Sequence, residues 1–454
     1  MTSGFPASSR PGDIRETFRI VWPLALSMMA GAANHIFDRF FLAHVSDTAL
    51  EAVLPAELIS QTLTLFLSAV IGYSSTFVAQ LHGGGKNHSA VRAFAQGLWL
   101  SVFAIPLYIL FIPAGQAIIE LAKHAETIQT FEKAYFTIAA PGGIFQLLNC
   151  VLAGMLTGQG HTRYTGLCTI TGSATNLLLD PLLIFTLDLG ISGAALATVI
   201  AQATTTILLA TAIIRDPLVR DGYASGDFRF YAQRCLAILR FGVPLGLNAL
   251  VGNLSFTAFN LVVGQCAPLE LAASNTVFAV NNIFFLAASA TSQGITILSG
   301  RYHGAKDDGT VSRVFKSGMI LVGLSLAICF AIALPGAGFI MDLFRGANST
   351  FDPAAFRECG FLLFTIMFFR EIAEGIVVVA GGALRGVGDT KFVMLTQSAV
   401  EAFIRLPLIF IVAAVSDSIY LLWLTMPLDL GITAYLFLRR WSSCKWQSIR
   451  LTED

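Results

Sequence analysis

Long apolar stretches, separated by short polar segments, run along almost the whole chain. A helix that crosses a bilayer needs about 20 mostly apolar residues, whereas a strand of a membrane β-barrel shows about 10 residues of alternating polarity. The stretches here are long and rich in Leu, Ala, Ile and Phe, so they predict helices. We predict twelve spans, at residues 16–43, 53–81, 90–113, 131–157, 163–187, 190–214, 238–263, 270–299, 311–340, 355–383, 391–415 and 418–438.

The longest polar interruption divides these spans into six plus six. It is charged, contains Pro and Gly, and covers residues 215–237. We therefore predict five segments: a tail at 1–15, a first six-helix lobe at 16–214, a linker at 215–237, a second six-helix lobe at 238–438 and a tail at 439–454.

The two halves of the chain resemble each other in sequence, at nearly constant offsets. The matches in order include Pro23 with Pro244 and Arg92 with Arg313, both 221 residues apart, and 154–163 with 382–391, which are 228 apart. Six is an even number of spans, so the halves must be parallel repeats rather than inverted ones. The predicted fold class is an all-α integral membrane protein with two pseudo-symmetric six-helix lobes.

Composition supports the membrane assignment and excludes several functions. The chain of 454 residues is 55% hydrophobic and 12% charged, against about 25% charged residues in soluble domains. The net charge is zero, so nothing suggests a nucleic-acid partner. The seven cysteines are scattered without metal-ligand spacing, and neither an HExxH nor a GxSxG motif occurs. We therefore expect no enzyme activity and no cofactor.

The distribution of positive charge predicts the orientation in the membrane. Of the 28 Lys and Arg residues, 21 fall on one side of the predicted spans. Four fall on the other side, and three lie within spans (Arg39, Arg370 and Arg405). We expect a multi-pass protein of the plasma (inner) membrane with both termini in the cytoplasm.

Ionisable residues inside spans are costly and usually functional. Asp38, Asp180 and Thr198 all lie seven or eight residues from the outer end of their spans, roughly 10–12 Å deep. Asn176 lies one turn deeper than Asp180 on the same face. Pro181 cannot donate a hydrogen bond, so it should bend the helix and free a carbonyl oxygen. These four polar residues can therefore meet at one level of the first lobe.

Such a site could bind a proton or a cation. Two carboxylates in a low-dielectric site favour a single shared proton, whereas a cation would keep both ionised. Na⁺ at Asp38, Asn176, Asp180 and Thr198 is thus an alternative to H⁺. A purely structural polar network, or a surface pair of Asp38 with Arg39, would also explain these residues.

The second half does not copy this site. Asp180 aligns with Arg405, and Asn176 aligns with Glu401, four residues earlier, which suits a helical ion pair. Together with charges in the tenth span these form a possible polar network of Arg370, Glu371, Glu374, Glu401 and Arg405. The network could be structural, or Glu374 could be a second protonatable site or a contact for a cationic substrate.

Several short segments together resemble the multidrug and toxic compound extrusion (MATE) family of transporters. They are "DPLLIF" (180–185), "GISGAALATVIAQ" (190–202), "TGQGHTR" (157–163) and "LRGVGDTK" (384–391). The resemblance implies two six-helix lobes and export of amphipathic, mostly cationic compounds in exchange for H⁺ or Na⁺. By position, Asp38 matches the first-span aspartate of the family, and Asn176, Asp180 and Thr198 match its amino-terminal cation site. NorM-like members carry an acid in the seventh span, which is absent here, so the chain resembles DinF-like members more.

The expected function is therefore secondary active efflux of small amphipathic or cationic molecules. A flippase for lipids or lipid-linked sugars of the same superfamily is the alternative, although such proteins usually have extra spans and a more cationic cavity. We expect the protein to work as a monomer in the lipid bilayer, because the duplicated halves already supply two lobes.

Overall fold

The structure is a computed structural model, and it describes residues 10–345, 351–416 and 418–449. Residues 1–9 and 450–454 of the two predicted tails lie outside the described residues. The helices are α1 (Ile14–Ala43), α2 (Asp47–Gly72), α3 (Ser74–Gly83), α4 (Asn87–Leu121), α5 (Glu126–Gly158), α6 (Thr162–Pro181), α7 (Gly190–Ile214), α8 (Pro217–Ala224), α9 (Ala232–Val263), α10 (Pro268–Gly304), α11 (Asp308–Ala333), α12 (Ala337–Arg345), α13 (Pro353–Val387), α14 (Thr390–Val400), α15 (Leu406–Val415) and α16 (Ile419–Ser442).

The prediction of an all-helical membrane protein is confirmed. Within the described residues, eleven helices are long and apolar enough to cross a membrane, counting α2 with α3 and α14 with α15 as continuous spans. The remaining predicted span, the tenth at 355–383, corresponds to α13, which has 35 residues but carries Arg370, Glu371 and Glu374 near its middle. Two spans also contain a single π-helical turn, at Leu182–Thr186 after α6 and at Glu401–Arg405 between α14 and α15.

The chain forms two compact units whose boundaries fall inside helices. The first unit is Trp22–Gly246, and the second contains the residues up to Val21 together with those from Leu247 onward. The boundaries therefore lie beside the repeat-related Pro23 and Pro244, several residues after the lobe boundaries that we predicted at 16 and 238.

Hydrogen bonds at the start of α1 explain why the first residues belong to the second unit. The Ser317 hydroxyl donates to the Gly12 carbonyl at 2.8 Å, and Arg313 Nε donates to the Pro11 carbonyl at 3.0 Å. The Tyr302 hydroxyl donates to Glu16 at 2.7 Å. The first two bonds satisfy backbone carbonyl groups that the turn before a helix would otherwise leave without partners, and the third gives the buried Glu16 carboxylate a donor.

The linker makes the corresponding contacts in the first unit. Gln96, which aligns with Ser317 at the offset of 221, donates to the Arg229 carbonyl at 2.9 Å and accepts from the Tyr231 amide at 2.8 Å. The Asp227 carboxylate, 1% exposed, accepts from Arg92 at 2.6 Å and pairs with His88 at 2.7 Å. Burial of Asp227 opposes its ionisation, but these two partners outweigh burial and hold its pKa below the usual range.

Close helix packing in the second unit depends on small residues, as is usual in membranes. The Ser292 hydroxyl of α10 donates to the Val378 carbonyl of α13 at 2.9 Å, and the Thr296 hydroxyl donates to the Gly382 carbonyl at 3.0 Å. One turn further along α13, a Cβ on Gly386 would lie only 2.5 Å from the Thr296 carbonyl oxygen. The two backbones can therefore approach this closely only at glycine.

We predict that Gly386→Ala destabilises the protein, because the added methyl group must push α10 and α13 apart. The cost of such overpacking is about 1–3 kcal/mol, and it should lower the thermal unfolding midpoint in detergent. Gly323→Ala in α11 is the matched control, since no atom lies within 4 Å of a Cβ there. An equal midpoint for the two variants would contradict this packing.

Candidate functional site

A polar cavity of about 310 Å³ lies inside the first unit, among helices that are otherwise strongly apolar. Its walls come from α1, α2, α5, α6 and α7. The lining residues are Gly31, Asn34, His35, Asp38, Gln61, Gln146, Asn149, Thr169, Gly172, Ser173, Asn176, Thr198, Ala201, Gln202 and Thr205. Most of these are polar, so the cavity is suited to a hydrated or charged ligand.

Asp38 and Asp180 meet beside this cavity. Their carboxyl groups lie within hydrogen-bonding range of each other, with Asp38 7% exposed and Asp180 fully buried. The Asn176 amide donates to Asp180 Oδ1 at 3.4 Å. Of the predicted residues, Asp38 and Asn176 are therefore both next to Asp180.

One oxygen of each carboxyl group lacks a hydrogen-bond partner. Asp38 Oδ1 and Asp180 Oδ2 are buried, and neither finds a donor within the part of the chain that the structure describes. Burying a polar atom without a partner costs free energy. A proton shared by the two groups, or a small cation between them, would remove that cost, and both are chemically suited to an all-oxygen site.

Thr198 is the fourth predicted residue, and it lines the same cavity from α7. Its hydroxyl donates to the Ala194 carbonyl of its own helix at 3.1 Å, so the hydroxyl oxygen still has a lone pair for another partner. Thr198 can thus accept from a ligand in the cavity.

Our sequence analysis did not single out Glu57, a carboxylate of α2 close to this site. Glu57 Oε1 lies 2.8 Å from His35 Nδ1, and Glu57 Oε2 lies 3.6 Å from a terminal nitrogen of Arg39. Arg39 therefore pairs with Glu57 instead of forming the alternative surface pair with Asp38. The available signal was a carboxylate inside a predicted span, four residues before Gln61 and hence on the same face.

A group of amide side chains in the cavity wall was also not predicted. Asn149 of α5 donates to the Gln202 carbonyl at 3.1 Å and accepts from Thr206 at 2.7 Å. Their sequence signal was the presence of amides in two otherwise apolar spans. These bonds fix α5 against α7 in the wall of the cavity.

The backbone next to Asp180 departs from a regular α-helix. Pro181 ends α6, and the π-helical turn of Leu182–Thr186 follows directly. Gly193 of α7 lies so close to this turn that a Cβ there would be 2.8 Å from the Leu183 carbonyl group. Such turns are frequent at functional sites, because they redirect side chains within a helix.

The charged residues predicted in the second half lie together in the second unit. Arg370 pairs with its neighbour Glu371, approaches Glu374 at 3.6 Å and donates to Asn281 at 3.1 Å. Glu401 is 6% exposed, and its Oε2 has no hydrogen-bond partner within the described ranges.

The predicted ion pair between Glu401 and Arg405 needs a correction. Arg405 approaches Asp429 of α16 at 4.0 Å, and this is the carboxylate that forms its ion pair in the structure. The reason is that Asp429 lies on another helix, α16, which packs against this π-helical turn, and spacing within one span does not show such a partner. Asp429 therefore joins the network, which then contains two arginines and four carboxylates.

Comparison with known proteins agrees with this architecture. "Probable multidrug resistance protein NorM" from Bacillus cereus is 25% identical over 421 residues, which is 89% of each chain. The protein of that name from Deinococcus radiodurans is 25% identical over 404 residues, 86% of each chain. A crystal structure of MATE in complex with MaL6 matches with a TM-score of 0.87 at 16% identity, covering 98% of this chain and 100% of that one.

The MatE family model matches residues 23–182 and again residues 244–411. The two matches begin at Pro23 and Pro244, so they coincide with the two halves of the predicted duplication. Because they cover most of the sequence, the chain belongs to the MatE family, the family of transporters that the sequence motifs resembled.

Proposed function

We propose that the protein is a multidrug efflux antiporter in which the Asp38–Asp180 pair binds the coupling ion. The observation that carries this proposal is the contact between two buried carboxyl groups, each with one oxygen lacking a partner among the described residues, beside a polar cavity. The names of the relatives, multidrug resistance proteins, support the substrate class.

We further propose H⁺ as the coupling ion. Two carboxyl groups within hydrogen-bonding range need a proton between them, because two adjacent carboxylates repel each other strongly in a low dielectric. A sodium ion would instead have to separate the groups and collect five or six oxygen ligands. Asn176, whose amide nitrogen faces Asp180, supplies a hydrogen-bond donor to the carboxyl pair at this point.

Coupling then follows from competition for one pair of carboxyl groups. A cationic amphipathic molecule in the cavity is stabilised when Asp38 and Asp180 are ionised, and a proton taken up by the pair removes that attraction. Protonation also changes the repulsion between α1 and α6. The π-helical turn that follows Pro181 is the part of this span next to Asp180, so we expect it to respond to a change in that repulsion.

The DinF-like assignment is also a proposal. It rests on the carboxyl pair of the first unit and on α9, which contains no Asp or Glu. In the second unit Arg370 is paired with carboxylates of its own helix α13, and Arg405 is paired with Asp429 of α16, so we assign this network a structural role. A plasma-membrane location, cytoplasmic termini and a monomeric state complete the proposal, on the strength of the charge distribution and the duplicated halves.

We predict that Asp180→Asn and Asp38→Asn each reduce efflux of a cationic dye such as ethidium by about tenfold or more, since the coupling free energy is lost. The measurement is dye efflux from energised cells at matched expression. Asp188→Asn is the control, because Asp188 is an exposed carboxylate near the end of the same span. Normal gradient-dependent efflux by Asp180→Asn would overturn the proposed mechanism.

The choice of ion has its own test in proteoliposomes. With a proton gradient alone we expect the wild-type protein to drive uptake of tetraphenylphosphonium, and with a sodium gradient alone at equal pH we expect none. Transport driven by sodium alone would show that H⁺ is the wrong ion. If both Asp38→Asn and Asp180→Asn respond normally to the proton gradient, the coupling site lies elsewhere.

A further inference from the structure

A second cavity of the first unit is unlike the polar one. Its volume is about 390 Å³, and it lies between α4, α5, α7 and the short helix α8. Aromatic and aliphatic side chains such as Phe94, Leu98, Ile213 and Val219 form its wall, and among the described residues that line it Arg220 is the one that carries a charge. A water-soluble ligand would find few hydrogen-bond partners in such a space, whereas a hydrocarbon chain can pack against its apolar wall.

The side chains around this cavity place it at the edge of the membrane. Trp99, Phe103 and Phe230 form an aromatic group with ring centroids 5.4–6.1 Å apart, and all three are exposed. Tyr223, which lines the cavity itself, is 72% exposed. Exposed Trp and Tyr residues are typical of the level of the lipid headgroups.

The wall of the cavity is firmly attached to the helices. Trp99 Nε1 donates to the Phe228 carbonyl at 3.0 Å, and the ion pairs of Asp227 with Arg92 and His88 hold the following residues against α4. Asp216 accepts from the Leu218 and Val219 amides and so caps the start of α8. The cavity is therefore a built feature of the fold.

The repeat-related position in the second unit is packed differently. Phe94, at the cavity, aligns with Phe315, whose ring stacks on Trp441 at 4.6 Å. Trp441 in turn stacks on Trp446 at 4.5 Å, and Trp446 is 1% exposed. The second unit thus covers this phenylalanine with the chain's own indole rings, whereas Phe94 meets the edge of Phe228 at 6.0 Å and faces the cavity.

Charge around the opening indicates which amphipathic molecule fits. Arg220 is exposed, and the structure shows no carboxylate of the described residues within ion-pairing distance of it. Arg215, also exposed and likewise without an ion pair there, precedes it by five residues. Asp216 and Asp221 lie in the same segment, but of these four charged residues only Arg220 lines the cavity, so an anionic headgroup there would be attracted and a cationic one repelled.

We propose that this cavity binds an acyl chain of an anionic phospholipid, whose headgroup phosphate contacts Arg220. The chain would pack against Phe94, Leu98 and Ile213, and the lipid would bridge α8 to α4 and α7. The site is separate from the polar cavity, so the proposal does not depend on how transport is coupled.

The test is photolabelling of the purified full-length protein in mixed micelles, with lipids that carry a diazirine near the end of one acyl chain. Phosphatidylglycerol and phosphatidylcholine of identical chains are compared, and labelled peptides are located by mass spectrometry. We expect phosphatidylglycerol to label peptides of α4, α7 and α8 about fivefold more than phosphatidylcholine does. Equal labelling by the two lipids, or labelling elsewhere only, would overturn the proposal.

Two pairs of variants separate the chain from the headgroup. Ala210→Phe fills the cavity and should abolish labelling of these peptides, whereas Ala212→Phe, on another face of α7, should leave it unchanged. Arg220→Gln should remove the preference for phosphatidylglycerol, and Arg215→Gln, which does not line the cavity, should reduce it less. Unchanged labelling of Ala210→Phe, or competition by tetraphenylphosphonium in the wild-type protein, would contradict a lipid site.

Discussion

Two carboxyl groups buried side by side must either share a proton, which leaves only one of them charged, or hold a cation between them, and the first unit is organised around this constraint. Asp38 belongs to α1 and Asp180 to α6, and they meet where α6 passes into a π-helical turn. Asn149 of α5 attaches α5 to α7 through the Gln202 carbonyl and the Thr206 hydroxyl. Any change in the charge of the pair must therefore be accommodated by α1 and α6.

The two duplicated halves of the chain differ in how their buried charged residues are paired. The first unit keeps two carboxyl groups together, with one oxygen of each lacking a partner in the described structure. In the second unit the position of Asp180 is taken by Arg405, which pairs with Asp429. Ion pairing suits a structural role, because breaking a buried pair is strongly destabilising. An unpaired carboxyl oxygen instead suits a group that must gain and lose a ligand.

Much of this arrangement could be predicted from the sequence, because a bilayer fixes the length of a span. Counting residues from the ends of the spans gives the depth of Asp38 and Asp180, and helical spacing adds Asn176. Contacts that depend on the rotation of one helix against another could not be obtained in this way. Glu57 was missed because nothing in its own span shows that it faces His35 and Arg39.

Local departures from regular geometry account for the other differences. The partner of Arg405 was predicted wrongly because Asp429 lies on another helix, α16, and the spacing of residues within one span does not show which neighbouring helix it faces. The boundaries of the units lie inside α1 and α9 because tertiary hydrogen bonds attach the residues before them to the other half of the sequence. The bond of Ser317 with Gly12 attaches the start of the chain to the second unit, and the bond of Gln96 with Arg229 attaches the linker to the first unit. The short helix α8 was not predicted because it is too short to span a membrane, although Asp216 and Pro217 form a clear start signal for a helix.

Proton release on substrate binding tests the role of the carboxyl pair most directly. It can be followed with a pH-sensitive dye in weakly buffered detergent solution while tetraphenylphosphonium is added to the purified protein. If Asp38 and Asp180 share a proton that the cation displaces, about one proton should be released per molecule bound, and Asp180→Asn should release far less. Binding without proton release, or equal release by Asp180→Asn, would show that the pair does not couple the ion to the substrate.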